Sequence, residues 1–239
     1  MDKVELLTAL QQGEITLQGQ FLHGSNYTFL GDLSYGERPL RVVYKPARGE
    51  QPLWDFPTGS LSKREVAAFV LSEALGWALV PPTIYRRKGP MGPGSLQLFI
   101  EHDDDYHYFN FNEADHQRLR PTMLFDFLIN NADRKGSHII IDQEQHIWLI
   151  DHGVCFHIED KLRTVIWDFA SEPIPQSLLD DVNRLLPELH KDQLFYQELS
   201  VYLSGEEIRA IEKRAKKIVT SGFFPRPPDE RRAYPWPPV

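Results

Sequence analysis

Apolar and polar residues change their period several times along this chain, and each change marks an element. Residues 3–12 carry Val4, Leu6, Leu7 and Leu10 at helical spacing and stop at Gly13, which predicts a short helix. From Glu14 to Leu22 the pattern alternates, with Ile15, Leu17 and Phe21 on one face, as a strand requires. The small polar turn His23-Gly24-Ser25-Asn26 leads into a second strand starting at Tyr27. Leu40 to Pro46 reads as a third strand with Lys45 near its end, and residues 47–61 read as irregular loop. Ser62 to Gly76 is the clearest helix. Ser62 and Glu65 have the spacing of a capping box, six apolar residues from Val66 to Leu75 form a stripe, and Gly76 suits the C-cap.

Further on, Ile84–Arg87 and Ser95–Ile100 predict a hairpin around a Gly/Pro-rich loop. The acidic run Glu101-His102-Asp103-Asp104-Asp105 follows, where the pattern shifts from strand-like to helix-like. We therefore expect a β-rich lobe over 1–101, a helical lobe over 102–222 and a Pro-rich tail over 223–239. Pro121 to Asn130 is too apolar for a surface helix. Ile139–Ile141 and His146–Ile150 flank a polar turn, so this second hairpin sets His138 and Asp151 side by side at its ends. Helices are expected over 175–189 (ended by Pro187), 191–203 and 206–220. The last carries a cationic face with Arg209, Lys213, Arg214, Lys216 and Lys217, which reads as solvated. The tail is extended, either disordered or packed through Phe224, Tyr234 and Trp236.

Composition narrows the class. With 239 residues, 41% hydrophobic and 12% aromatic, the chain fills one large domain or two small lobes. A net charge of −8 argues against a nucleic-acid binder. The single cysteine, Cys155, permits no internal disulfide and fits a reducing compartment. The N-terminus lacks a signal-peptide pattern, and no apolar run approaches the roughly 20 residues of a membrane span. The expectation is a soluble, cytoplasmic protein.

Candidate chemistry concentrates in Asn130-Asn131-Ala132-Asp133-Arg134-Lys135-Gly136-Ser137-His138 and in Leu149-Ile150-Asp151-His152-Gly153. Two carboxylates and a histidine on neighbouring loop ends can hold a divalent cation and a phosphate. Backbone N–H groups at the Gly24-Ser25 corner can face an anion.

The order of these signals resembles the protein-kinase-like fold, in its phosphatidylinositol 3- and 4-kinase-like branch, over residues 14–220. Its most specific part is Asn131-Ala132-Asp133-Arg134 with Asp151-His152-Gly153. The resemblance implies a two-lobed α+β fold with a β-rich N-lobe and a mainly helical C-lobe. It implies that Lys45 meets the α/β-phosphates of ATP and that Glu65 orients Lys45, with Glu73 as the alternative partner. Gly24, Ser25 and Asn26 would cover the phosphates, and Glu101 would fall near the adenine hinge. Asp133 would accept or align the acceptor's proton, and Asp151 would hold Mg²⁺ or Mn²⁺. His138 stands where the branch has a metal-binding Asn, and His152 where it has the Phe of Asp-Phe-Gly. Arg134 pairs with a carboxylate or meets a phosphate. The implied function is an ATP- and metal-dependent phosphotransferase. Its alternatives are a pseudokinase that binds nucleotide without turnover, and a nucleotidyl transferase. A metal-dependent hydrolase is weaker, since no HExxH spacing occurs. The acceptor is a protein, a small molecule or, with less support, a lipid.

Overall fold

A five-stranded antiparallel sheet, in the order β1-β2-β3-β5-β4, leads into a mainly helical half in the computed structural model, which describes residues 1–21, 26–36 and 38–239. The strands are β1 (Glu14–Gln20), β2 (Phe29–Tyr35), β3 (Arg38–Pro46), β4 (Thr83–Arg86) and β5 (Gly94–Leu98). Ile15 and Leu17 of β1 turn inward while their polar neighbours are exposed. The strand ends at Gln20 rather than Leu22, after a register shift between Leu17 and Gly19, and Phe21 is exposed. Such a shift twists a strand end off its alternation. Helix α1 (Lys3–Gln12) is capped by Asp2, whose carboxylate accepts the Glu5 N–H, and its Ala9 and Leu10 join Leu33, Val42, Tyr44 and Leu96 in a small core.

Helix α2 (Leu61–Leu75) ends as predicted on Gly76 in the left-handed region, at φ 73°. Its start differs. Ser60 occupies the N-cap position, and the orphan N–H groups of Leu61 and Ser62 are taken by the Glu50 carboxylate at 3.1 and 2.8 Å. Glu65 is drawn away from the local capping box by the Lys45 ammonium and a backbone N–H, both described below. Nor does α2 show a single apolar stripe: Ser62, Arg64, Glu65 and Ser72 are buried too. The helix is packed on both sides, by the sheet and by the helical half.

That half contains α3 (Glu113–Gln117), α4 (Arg120–Ile129), the hairpin β6 (Ile139–Ile141) and β7 (Ile147–Leu149), α5 (Gln176–Glu188), α6 (Leu194–Leu199) and α7 (Gly205–Ser221). Helix α4 is buried from Thr122 to Ile129, as its composition demands. It stops at Asn130, in the left-handed region at φ 52° that Asn tolerates. Pro187 lies inside the last turn of α5, and α6 is shorter than expected. On α7, Arg214 does not face solvent: its Nε donates to the Leu128 carbonyl at 2.8 Å. The tail is packed through Phe224 and backbone bonds, since Thr164 N–H donates to Ala233 O and Gly136 N–H to Pro238 O, whereas Tyr234 and Trp236 stay exposed. Among the described residues no helix is long and apolar enough to cross a membrane.

Candidate active site

Lys45 leaves β3 into a cleft between the sheet and the helical half. Its Nζ lies 2.5 Å from Glu65 Oε1 and 3.1 Å from Asp151 Oδ1. Glu73, the alternative partner, pairs with Lys3 on the surface instead. The second oxygen of Glu65 accepts the backbone N–H of His152 at 2.9 Å, so one carboxylate joins the lysine to the segment carrying Asp151. Burial opposes charge on Lys45, but the Asp151 and Glu65 carboxylates outweigh it and hold the ammonium above its ordinary pKa. Lys45, in turn, is the main cause that holds Asp151 well below the usual carboxylate range.

Asp133 follows α4 on a loop whose residues alternate in direction. Asn131, Arg134 and His152 are fully buried. Arg134 answers its two sequence readings with a carboxylate: its Nε meets both oxygens of Asp126, at 3.0 and 3.2 Å. Its remaining nitrogens donate to the carbonyls of His138 and Ile150 and to His152 Nε2. His152 therefore carries its proton on Nδ1, 3.8 Å from Glu65 Oε2. Burial keeps its ring neutral. Asp133 points the other way, into the cleft. Burial raises its carboxyl to about 6, against the pull of the Lys135 ammonium 3.8 Å away.

The β6–β7 hairpin brings His138 and Asp151 together, with Nε2 3.5 Å from Oδ2. Asp151 adopts φ 60°, a left-handed setting uncommon outside Gly, Asn and Asp, and its side chain is half exposed to the cleft. Burial lowers His138 to about 4, so its ring is neutral. The Lys135 N–H points at His138 Nδ1 at 3.4 Å, which leaves the proton on Nε2, facing Asp151. Among the described residues no three His, Cys, Asp or Glu side chains converge into a metal cage. Asp151 lines the cleft, whereas His138 is largely buried beside it and outside the lining; a carboxylate with an imidazole behind it suits a cation that keeps waters and shares substrate phosphates.

The cleft, about 760 Å³ with its open mouth, thus gathers Lys45, Glu65, Asp133 and Asp151. Asn26 also lines it and is fixed by accepting the Gln51 N–H at 2.7 Å. Gly24 and Ser25 lie outside the described residues. Glu101 is not brought in: its side chain is exposed and pairs with Arg41. Two charged residues of the lining, Lys135 and Glu50, were given no role from the sequence. The position of Lys135 two residues after Asp133 was a usable signal, whereas Glu50 has none, because its role is a contact with a helix eleven residues on.

Residues 61–206 match the family model described as phosphatidylinositol 3- and 4-kinase. Among curated proteins the chain is similar to Protein Rv2133c of Mycobacterium tuberculosis, 38% identical over an alignment of 263 positions that covers 95% of this chain and 93% of that protein. Solved structures that share its fold include the following two. Hydra Fam20, solved with sugar, superposes with a TM-score of 0.58 at 18% identity, over 92% of this chain and 89% of that one. The Helicobacter pylori proinflammatory kinase CtkA gives 0.54 at 12% identity, over 90% and 94%. The two-lobed α+β arrangement is thereby a protein-kinase-like fold.

Proposed function

The chain belongs to the phosphatidylinositol 3- and 4-kinase family and is a kinase-like phosphotransferase, and on that premise we propose that it moves the γ-phosphoryl group of ATP onto a hydroxyl with a divalent cation. The observation that carries this reading is the Lys45 ammonium, 2.5 Å from Glu65 and 3.1 Å from Asp151, in one cleft with Asp133. Phosphoryl transfer depends mainly on positioning and charge neutralisation, which is what a lysine and carboxylates in this setting supply. In this reading the lobes divide between residues 101 and 102, and 223–239 is a tail. Lys45 faces the phosphates and Glu65 orients it. Gly24, Ser25 and Asn26 cover them, and the segment at Glu101 meets adenine through its backbone. Asp133 takes the proton of the attacking hydroxyl, and Lys135 offsets charge beside it. When bound, ATP would supply the γ-phosphoryl group and leave as ADP, and the cation would offset charge on the phosphates.

Asp151 holds the cation and His138 stands at the second ligand position. Ligation through Nε2 would require the ring proton on Nδ1, at the loss of one long bond of 3.4 Å. Imidazole suits Mn²⁺ better than Mg²⁺, so we propose Mn²⁺ as the preferred ion. A second reading, nucleotide binding without turnover, draws on that same proton on Nε2.

The test is incubation with γ- or α-labelled ATP under Mg²⁺ or Mn²⁺, offered protein, small-alcohol and phosphatidylinositol-vesicle acceptors. Movement of the γ-label by the wild type and not by Asp151→Ala supports the proposal. Movement of the α-label replaces it with nucleotidyl transfer. A thermal shift with ATP but no label transfer favours the second reading, and no shift under either ion removes both.

A further inference from the structure

We infer that Arg64 is a positioning residue: it holds α2, and with it the Lys45–Glu65 pair, in its working place without a phosphorylated segment or a partner. This rests on the phosphotransferase reading for its consequences, but on separate residues for its evidence. Consecutive residues on a helix point about 100° apart, so Glu65 faces the cleft while Arg64 faces the helical half. Arg64 is 2% exposed. Its Nη1 donates to Cys155 O at 2.6 Å, its Nη2 pairs with Glu207, and its guanidinium lies 4.8 Å from the centre of the Phe56 ring.

Each of these contacts is anchored in turn. Glu207 opens α7, and its other oxygen accepts the Ser204 N–H at 2.7 Å in a reciprocal cap. Cys155 belongs to the segment that follows Asp151, and that segment is pinned on both sides. Ala132 N–H donates to Val154 O at 3.1 Å, and Phe156 N–H donates to Ile129 O at 2.5 Å. One guanidinium therefore joins α2, α7 and the segment beyond Asp151. A parallel strap lies outside it: Lys161 Nζ is 2.7 Å from Asp55 Oδ2, and His157 Nε2 is 3.1 Å from the Asp55 carbonyl.

Moving α2 away from the cleft strips Arg64 of an ion pair and a carbonyl in a dry setting, which leaves a buried charge unpaired. That cost confines α2 to the one position in which Glu65 reaches Lys45. Lysine cannot replace the residue, because its single ammonium lacks the fork that spans Cys155 O and Glu207.

The experiment combines hydrogen exchange of residues 61–72 with γ-label transfer, on protein shown by intact mass to carry no phosphate. In the wild type, α2 is equally protected with and without Mn²⁺ and ATP. Arg64→Met raises α2 exchange about tenfold without nucleotide and lowers kcat about 10²-fold, the scale of a small misplacement at a reacting centre. Glu207→Gln has a smaller effect of the same sign, and it decides the matter where Arg64→Met fails to fold. Arg64→Lys restores protection only in part. Wild-type exchange and kcat in both Arg64→Met and Glu207→Gln overturn the inference. Faster exchange at unchanged kcat overturns it as well, since the role is then structural alone. Turnover by the wild type only after phosphorylation or addition of a partner likewise overturns it. If the wild type transfers no label at all, the phosphotransferase reading falls; α2 exchange equal to wild type in both variants then still overturns the hold of Arg64 on α2, and faster exchange upholds that hold alone.

Discussion

The floor and the rim of the loop between α4 and β6 are built from neighbouring residues with opposite fates. On the floor, Asp126, Asn131, Arg134, His152 and Thr164 are fully buried, and Arg134 spends its donors on two carboxylate oxygens, two carbonyls and an imidazole. On the rim, the side chains of Asp133 and Asp151 are 37% and 52% exposed and face the cleft. Arg134 and Asp133 are adjacent in one short motif and Asp151 and His152 in the other, yet each pair splits between floor and rim. The buried set cannot exchange partners without leaving a charge dry, so it fixes the loop. The open set has spare lone pairs and solvent access, so it is free to meet a substrate. A charged residue in such a motif therefore says little about chemistry until the direction of its side chain is known.

That contrast breaks most visibly at the floor. Arg134→Ala should cost about 3–5 kcal/mol of stability, because Asp126 is left buried and unpaired, and a melting curve will read it. A loss below about 1 kcal/mol would mean that the floor is not a scaffold. On the rim, Asp151→Ala should lower the melting temperature of the free protein by less than Arg134→Ala does, since Glu65 still pairs Lys45, while lowering turnover about 10³-fold and abolishing the cation-dependent part of any ATP shift. Asp133→Asn should spare ATP binding and lower kcat about 10²-fold. It also carries a pH signature. The Asp133 carboxyl titrates at about 6, and the base is present only above that value, so wild-type kcat/KM should fall as pH drops through it. That inflection should be missing in Asp133→Asn. The smallest effect belongs to Glu101→Ala: its exposed pair with Arg41 should contribute under about 1 kcal/mol, and ATP affinity should be unchanged if adenine meets only the backbone there.

Local periodicity made much of this fold readable. The alternation of β1 as far as Leu17, the Gly76 stop of α2 and the hairpin joining His138 to Asp151 are all set by residues close in sequence, and each appears as expected. What was not legible depends on distant contacts. Ser62 and Glu65 have the local spacing of a capping box, yet Lys45 and His152 attract Glu65 more strongly, and Glu50 takes over the cap. Arg64 meets Glu207 across 143 positions, and nothing near either residue announces it. The cationic face of α7 misleads in the same way, since Arg214 turns inward to a carbonyl on α4. In the site, Lys45, Glu65, Asp133 and Asp151 come together in one cleft, whereas Glu101 was assigned from order along the chain and its side chain lies on the surface.

Cys155 is the chain's single cysteine, its side chain is fully buried, and burial raises its thiol well above the ordinary value. It sits where Arg64 binds the backbone, at the seam joining α2 to the segment beyond Asp151. An alkylating reagent can reach that sulfur only when the seam parts. Its labelling rate should therefore report how often the packing around that seam opens, locally or with the whole fold, without any introduced probe.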